Sequence, residues 1–153
     1  MVDLQRLIDN TQMKGVTVWV EYPKIPGFTV EIAFVGKQEM LRIYDESTTR
    51  QWNSETRKNE EELDRRKVSK VWGERVVKSW KGLTIAKLQK IWPVKLVGGE
   101  NPETEIEPSQ DNRVALLWNS TDFENWVLSI ATSADHFADA ERQAQKEFEN
   151  LEK

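Results

Sequence analysis

Alternating apolar and polar residues near the start of the chain predict a β-hairpin. Every second residue is apolar or aromatic over 16–22, and the same period of two returns over 28–34. Between them, 23–27 contains two prolines and a glycine, which suit a turn. We therefore expect a hairpin over about 15–35. Because two strands alone are only marginally stable in water, another part of the chain must cover their apolar face.

The rest of the chain carries mainly helical patterns, so the predicted fold class is α+β, with the N-terminal hairpin packed on a mainly α-helical remainder. We expect one helix over 38–52, a polar loop over 53–59 and a long helix over 60–80. Gly82 follows the long helix, where a left-handed residue commonly ends a helix.

The second half of the chain contains several helix-start signals. Thr84 is suited to cap a short helix that ends before Pro93, Ser109 to cap the next, and Thr121 with Glu124 forms a capping box. We expect a single domain over 1–153, with a helical part over 37–92, an acidic loop over 93–110 and a helical C-terminal part over 110–153.

The final predicted helix, 135–153, has only a thin apolar stripe. The sequence leaves open whether this helix folds back on the domain or stays unpaired until a partner arrives. Its stripe consists of Phe137, Ala144, Phe148 and Leu151.

Charge is unevenly distributed along the 153 residues, whose net charge is −4. Segment 65–90 has nine basic residues and one acidic residue, whereas 99–153 has thirteen acidic and four basic residues. These segments could pair within one molecule or between copies, so self-association is left open.

No catalytic, cofactor-binding or metal-binding residues are predicted. The chain has no cysteine and a single histidine, His136, which excludes thiolate chemistry and leaves too few ligands for a zinc site. The sequence contains neither of the glycine-rich phosphate-binding motifs, Gly-x-x-x-x-Gly-Lys-Ser/Thr and Gly-x-Gly-x-x-Gly. No stretch approaches the ~20 apolar residues of a membrane span, so we expect a soluble, cytosolic protein without a membrane partner.

Two tryptophan-marked segments, 77–83 and 119–127, are the candidates for partner binding. We expect an exposed groove lined by aromatic and apolar side chains from both, although these residues could equally form the core that joins the two helical halves. The candidate residues are Trp80, Lys81, Gly82, Leu83, Phe123 and Trp126.

The order of these features resembles the tail assembly chaperones of long-tailed bacteriophages. The resemblance covers about 16–137: Pro-Gly-Phe at 26–28, Val-x-x-Trp-Lys-Gly-Leu at 77–83, an acidic proline-containing loop, and Asn-Ser-x-x-Phe-x-x-Trp-Val at 119–127. Ile91-Trp92-Pro93 and the tail after Phe137 depart from the family pattern.

The resemblance implies a non-enzymatic viral protein that acts in the host cell cytoplasm and is absent from the mature virion. Its implied partner is the tape-measure protein, kept soluble while the tail tube polymerises, with the tail tube protein as a second candidate. The alternative function is a structural head or tail completion protein of the virion. A nucleic-acid-binding regulator, suggested by the basic segment with Trp72 and Trp80, is less favoured because both indoles fall on the apolar stripe.

Overall fold

The computed structural model describes residues 1–10, 13 and 15–151 and confirms the α+β fold class. Helices and short antiparallel strands alternate in the first half, and the second half is helical. The elements are α1 Leu4–Asn10, β1 Thr17–Glu21, β2 Thr29–Ala33, α2 Lys37–Glu46, β3 Thr48–Asn53, β4 Lys58–Leu63, α3 Arg65–Arg75, β5 Val77–Lys81, α4 Ile85–Leu88, α5 Gln110–Asn119, α6 Thr121–Ala131 and α7 Ala134–Leu151.

The main sheet has the strand order β1-β2-β5, with both pairings antiparallel. The predicted hairpin is confirmed: β1 and β2 pair with Val20 opposite Val30. On its other side β2 pairs with β5, where Val30 lies opposite Trp80 and a bulge separates Glu31 from Ile32. The strand that completes this sheet therefore comes from much later in the chain.

The predicted long helix over 60–80 is wrong, because this segment contains β4, α3 and β5. Helix α3 begins late because the Asp64 side chain caps it, accepting hydrogen bonds from the backbone N–H groups of Arg66 and Lys67 at 3.1 Å each. The helix ends before the β-branched Val77, which pairs with Ile32 of β2. Sheet pairing here outweighs a helical apolar period.

The predicted helix over 38–52 is also too long, and the predicted loop over 53–59 is largely strand and turn. Helix α2 ends at Glu46, and the β-branched Thr48 and Thr49 begin β3. Strands β3 and β4 form a separate two-stranded sheet. The part of the chain over 37–92 is thus mixed, with three strands that were predicted as helix or loop.

Most helix starts in the second half agree with prediction. Thr84 and Ser109 cap α4 and α5 by accepting from the backbone N–H groups of Lys87 and Asn112, each at 3.2 Å. Helix α6 is capped by Ser120 instead of Thr121, since the Ser120 hydroxyl accepts the Phe123 N–H at 3.2 Å.

Among its described side chains, helix α7 packs on the hairpin near its start. Phe137 is fully buried, and its ring centroid lies 5.1 Å from that of Phe34. Further along, Phe148 and Leu151 are 63% and 85% exposed. The side chain of Ala144 and residues 152–153, which belong to the predicted tail helix, lie outside the described residues. The described stripe of α7 is therefore covered at one end and exposed at the other.

The core lies between the three-stranded sheet and helices α3, α5 and α6. Trp72 on α3 is fully buried, and Gly73 beside it allows α5 to approach, because a Cβ there would collide with Val114. Other core residues include Phe28, Ile32, Val76, Leu117, Phe123 and Val127.

Gly82 holds a tight backbone contact after β5. Its φ is +79°, and a Cβ built on it would collide with the carbonyl oxygen of Gly27 in the β1–β2 loop. Gly82 was predicted to end a helix, but the positive φ is used here at the end of a strand. The chain between β5 and α4 therefore passes close to the β1–β2 loop.

We predict that Gly82→Ala lowers the free energy of unfolding by at least about 3 kcal/mol, because positive-φ strain adds to a backbone collision. The matched control is Gly99→Ala: Gly99 has a φ of +72° but nothing within 4 Å of an added Cβ. The control should cost only about 1–2 kcal/mol. Urea unfolding of both variants measures the difference, and equal losses would contradict the role of the contact with Gly27.

Candidate functional site

The structure buries half of the predicted partner-binding residues. Trp80, Leu83 and Phe123 are only 3%, 2% and 0% exposed, and Trp126 is half-buried. An exposed groove lined by all four side chains is therefore wrong, because their apolar surface is used to close the core. Lys81 is exposed, with its ammonium 4.5 Å from the ring centroid of Trp19.

Phe123 and Trp126 belong to an aromatic cluster that joins α6 to the hairpin. The ring centroid of Tyr22 lies 5.5 Å from that of Phe123 and 4.9 Å from that of Trp126, both edge-to-face. Phe28 links this cluster to Trp80, with centroids 5.9 Å apart. Edge-to-face pairs of this kind stabilise a core beyond simple burial. The Asn-Ser-x-x-Phe-x-x-Trp-Val segment thus has a clear structural role.

An ion pair lies at the edge of this cluster. The Lys24 ammonium donates to Asp122 Oδ2 at 2.7 Å, and this hydrogen bond raises the pKa of Lys24. Burial raises the pKa of the Tyr22 hydroxyl, and Asp122 adds to the increase while Lys24 opposes it. The raised pKa of Tyr22 favours the neutral phenol inside the fold.

Trp80 and Leu83 contribute instead to a groove between α4 and α5, which we call the α4–α5 groove. Its volume is about 210 Å³, enough for one or two apolar side chains of a partner. The indole N–H of Trp80 donates to the carbonyl oxygen of Ile106 at 2.8 Å, which holds the acidic loop against the sheet. The lining residues are Trp80, Leu83, Leu88, Trp92, Ile106, Asn112, Ala115, Leu116, Asn119 and Ser120.

The α4–α5 groove is apolar with an uncharged polar rim. The Asn112 and Asn119 amides donate to the backbone oxygens of Glu107 and Ala115 at 2.9 and 2.8 Å. None of the described residues that line the groove carries a charge. Trp92 remains 43% exposed beside it. This composition suits an apolar anchor side chain and offers no group for acid–base chemistry.

Sequence reasoning missed most of this groove. Ile106 was not a candidate because the acidic loop was predicted to be an exposed connection, and Trp92 and Ala115 lie in predicted helices outside the two tryptophan-marked segments. In the structure the loop folds back: the Ile106 N–H donates to the Leu83 carbonyl at 2.8 Å, and Thr84 forms a bridge with Glu105. Local sequence signals do not report such a return contact.

Other site chemistries have little support in the part of the chain that the structure describes. No group of three histidine or acidic residues there could hold a metal ion. His136 is exposed on α7. Trp72 and Trp80 are buried, so neither can stack on a nucleic-acid base without opening the core. Among the described helices, none has the length and apolar character needed to cross a membrane.

Comparison with protein-family models assigns this chain to a family. The model of the YdaY prophage protein family matches residues 36–147. The chain belongs to this family. Membership of this family shows that the protein is phage-derived. The matched region includes both tryptophan-marked segments and the α4–α5 groove. Comparisons with curated proteins and with solved structures gave no significant match.

The buried Tyr22 hydroxyl should make the stability of the fold depend on pH at high pH. It has no hydrogen-bond partner among the described residues, so Tyr22→Phe should change the free energy of unfolding at pH 7 by less than about 1 kcal/mol. A raised pKa in the fold gives stability that is present below the unfolded value of about 10 and is lost as the pH rises through the folded value.

Unfolding measured at pH 7 and at high pH should therefore show a greater loss for the wild-type protein than for Tyr22→Phe. The two proteins differ only in the phenol and in its electrostatic effect on the pKa of Lys24, so the difference in loss reports the Tyr22 site. Equal losses would show that the phenol is not desolvated.

Proposed function

We propose that this prophage protein is a non-enzymatic tail assembly chaperone that binds the tape-measure protein and keeps it soluble while the tail tube polymerises. Two observations support the proposal: membership of a prophage family, and the order of motifs that resembles tail assembly chaperones. It would act in the host cell cytoplasm and leave before the virion matures, with the tail tube protein as the agent of its displacement.

The α4–α5 groove carries the proposal. A long helical partner with an apolar stripe would place one or two side chains against Leu83, Leu88 and Leu116 while Trp92 covers them from the rim. An uncharged groove tolerates different apolar anchors, which suits a protein that must bind many positions along a long helix. Specificity for one sequence is not required.

The small size of the groove suits transient binding. A groove of about 210 Å³ gives only a weak contact for one copy. Several copies along one tape-measure helix would hold it collectively, since linked weak contacts add avidity. Tube subunits could then displace the copies one at a time.

Filling the groove should abolish the function. Ala115 is exposed and lines the groove, so Ala115→Arg blocks the site without removing a core contact or weakening the helix. Asn125→Arg, on the exposed face of α6, introduces the same side chain and charge away from the groove. On co-expression with the tape-measure protein, Ala115→Arg should reduce its soluble, co-purifying fraction by at least about tenfold, and Asn125→Arg should not.

Two results would contradict the proposal. If the wild-type protein neither solubilises nor retains the tape-measure protein, the chaperone function fails. If Ala115→Arg and Asn125→Arg behave alike, the groove is not the binding site. Mass spectrometry of purified particles tests the alternative, because stoichiometric presence of this chain would indicate a structural completion protein of the virion.

A further inference from the structure

Strands β3 and β4 form an arm that stands apart from the core. In the described part of the chain they make a two-stranded sheet of their own. Every residue of β4 is exposed, and so are the four central residues of β3. Hydrogen bonds at the base of the arm include those from Thr48 Oγ1 to the Tyr44 carbonyl and from the Asp64 N–H to the Ser47 carbonyl. Because an isolated two-stranded hairpin is marginally stable in water, added strands would stabilise it.

The arm carries apolar side chains on one face. Trp52 is 63% exposed and Leu63 is 37% exposed. They lie on the same face as Arg50 and Glu61, which pair across the strands with Nε and Oε1 3.1 Å apart. A large indole on an otherwise polar, solvent-exposed hairpin is a typical anchor for an interface.

The two edges of the arm differ in how well they accept another strand. The β4 edge contains three consecutive glutamates, Glu60, Glu61 and Glu62, and such charge opposes edge pairing. The β3 edge has the sequence Thr-Thr-Arg-Gln-Trp-Asn, with β-favouring residues and a single charge. Strand addition is therefore favoured at β3.

We propose that the β3 edge is a homodimerisation surface on which β3 pairs antiparallel with β3 of a second copy, giving a continuous four-stranded sheet. The two-fold axis would pass through Gln51. In this register each Trp52 lies directly opposite Arg50 of the partner subunit, on the same face of the sheet. Gln51 lies opposite Gln51 of the partner subunit.

The self-complementary spacing of a cation, Arg50, and an indole, Trp52, identifies a second copy as the occupant. Each guanidinium would lie on an indole of the other copy, and both contacts form together because the interface is isologous. The described residues already form cation–π contacts of this kind, with the guanidinium of Arg66 5.5 Å from the ring centroid of Trp118 and the ammonium of Lys81 4.5 Å from that of Trp19. Arg50 would keep Glu61 as its neighbour within its own arm.

The dimer formed by one edge is weak. A single strand pairing buries much less than the roughly 800 Å² per partner of a standard interface. We expect a reversible equilibrium in which the mass by sedimentation rises with concentration from 17.9 kDa toward twice that value. Dimerisation does not depend on the proposed chaperone function, and Ala115→Arg should dimerise as the wild type does.

Opposite charges at position 52 test the register. Trp52→Lys places a cation opposite Arg50 of the partner subunit and should weaken dimerisation by at least about tenfold, whereas Trp52→Glu forms an ion pair there and should change it by less than about threefold. Both variants lose the same indole from an exposed site, so the effect of losing the indole is matched. Equal weakening by Glu and Lys would overturn the proposed register.

Disulfide crosslinking gives a second, independent test. The chain has no cysteine, and directly opposite residues in antiparallel strands are within reach of a disulfide. Gln51→Cys should therefore form a covalent dimer under mild oxidation. Glu60→Cys, the neighbour of Gln51 on β4, should crosslink at least about tenfold more slowly because that edge stays free. A wild-type protein that remains at 17.9 kDa at every concentration, with equal crosslinking of the two variants, would overturn the proposal.

Discussion

The pairing of β5 with β2 is the constraint on which the rest of the structure depends. Segment 77–81 has a helical apolar pattern, but this pairing makes it a strand and places Trp80 opposite Val30 in the sheet. Trp80 then holds Ile106 through its indole N–H, and the acidic loop closes one side of the α4–α5 groove. Without this strand the hairpin would have a free edge at β2, and Leu83 would have no buried position.

The α4–α5 groove and the β3–β4 arm, to which we assign the two proposed interactions, lie on different parts of the chain. The groove is uncharged, small and built on the packed core, which suits a weak and repeated contact with an apolar helix. The arm is charged, projects from the core and offers an open strand edge, which suits pairing with a second copy. If both operate, dimers would present two grooves and bind a long partner with greater avidity than monomers.

Local signals account for the parts of the fold that were predicted correctly. The hairpin follows from alternation on both sides of a proline-glycine turn, and the starts of α4 and α5 follow from Thr84 and Ser109 capping their own helices. Trp80 and Leu83 were found as candidates because Trp-Lys-Gly-Leu is a conspicuous motif, and both line the groove. Phe123 and Trp126 do not line the groove; they pack on Tyr22 and are part of the core, which is the alternative that the sequence left open.

The remaining features required tertiary structure. Val76, Val77 and Trp80 fit a helical stripe as well as a strand, and only the free edge of β2 decides between them. Likewise, the groove exists because a loop distant in sequence returns to Leu83. By itself the sequence determined the elements whose stabilising contacts are local: the hairpin with its proline-glycine turn, and the caps of α4 and α5. Tertiary structure alone decided which segments became strands and which aromatic side chains were buried, because those choices depend on contacts between residues far apart in the chain.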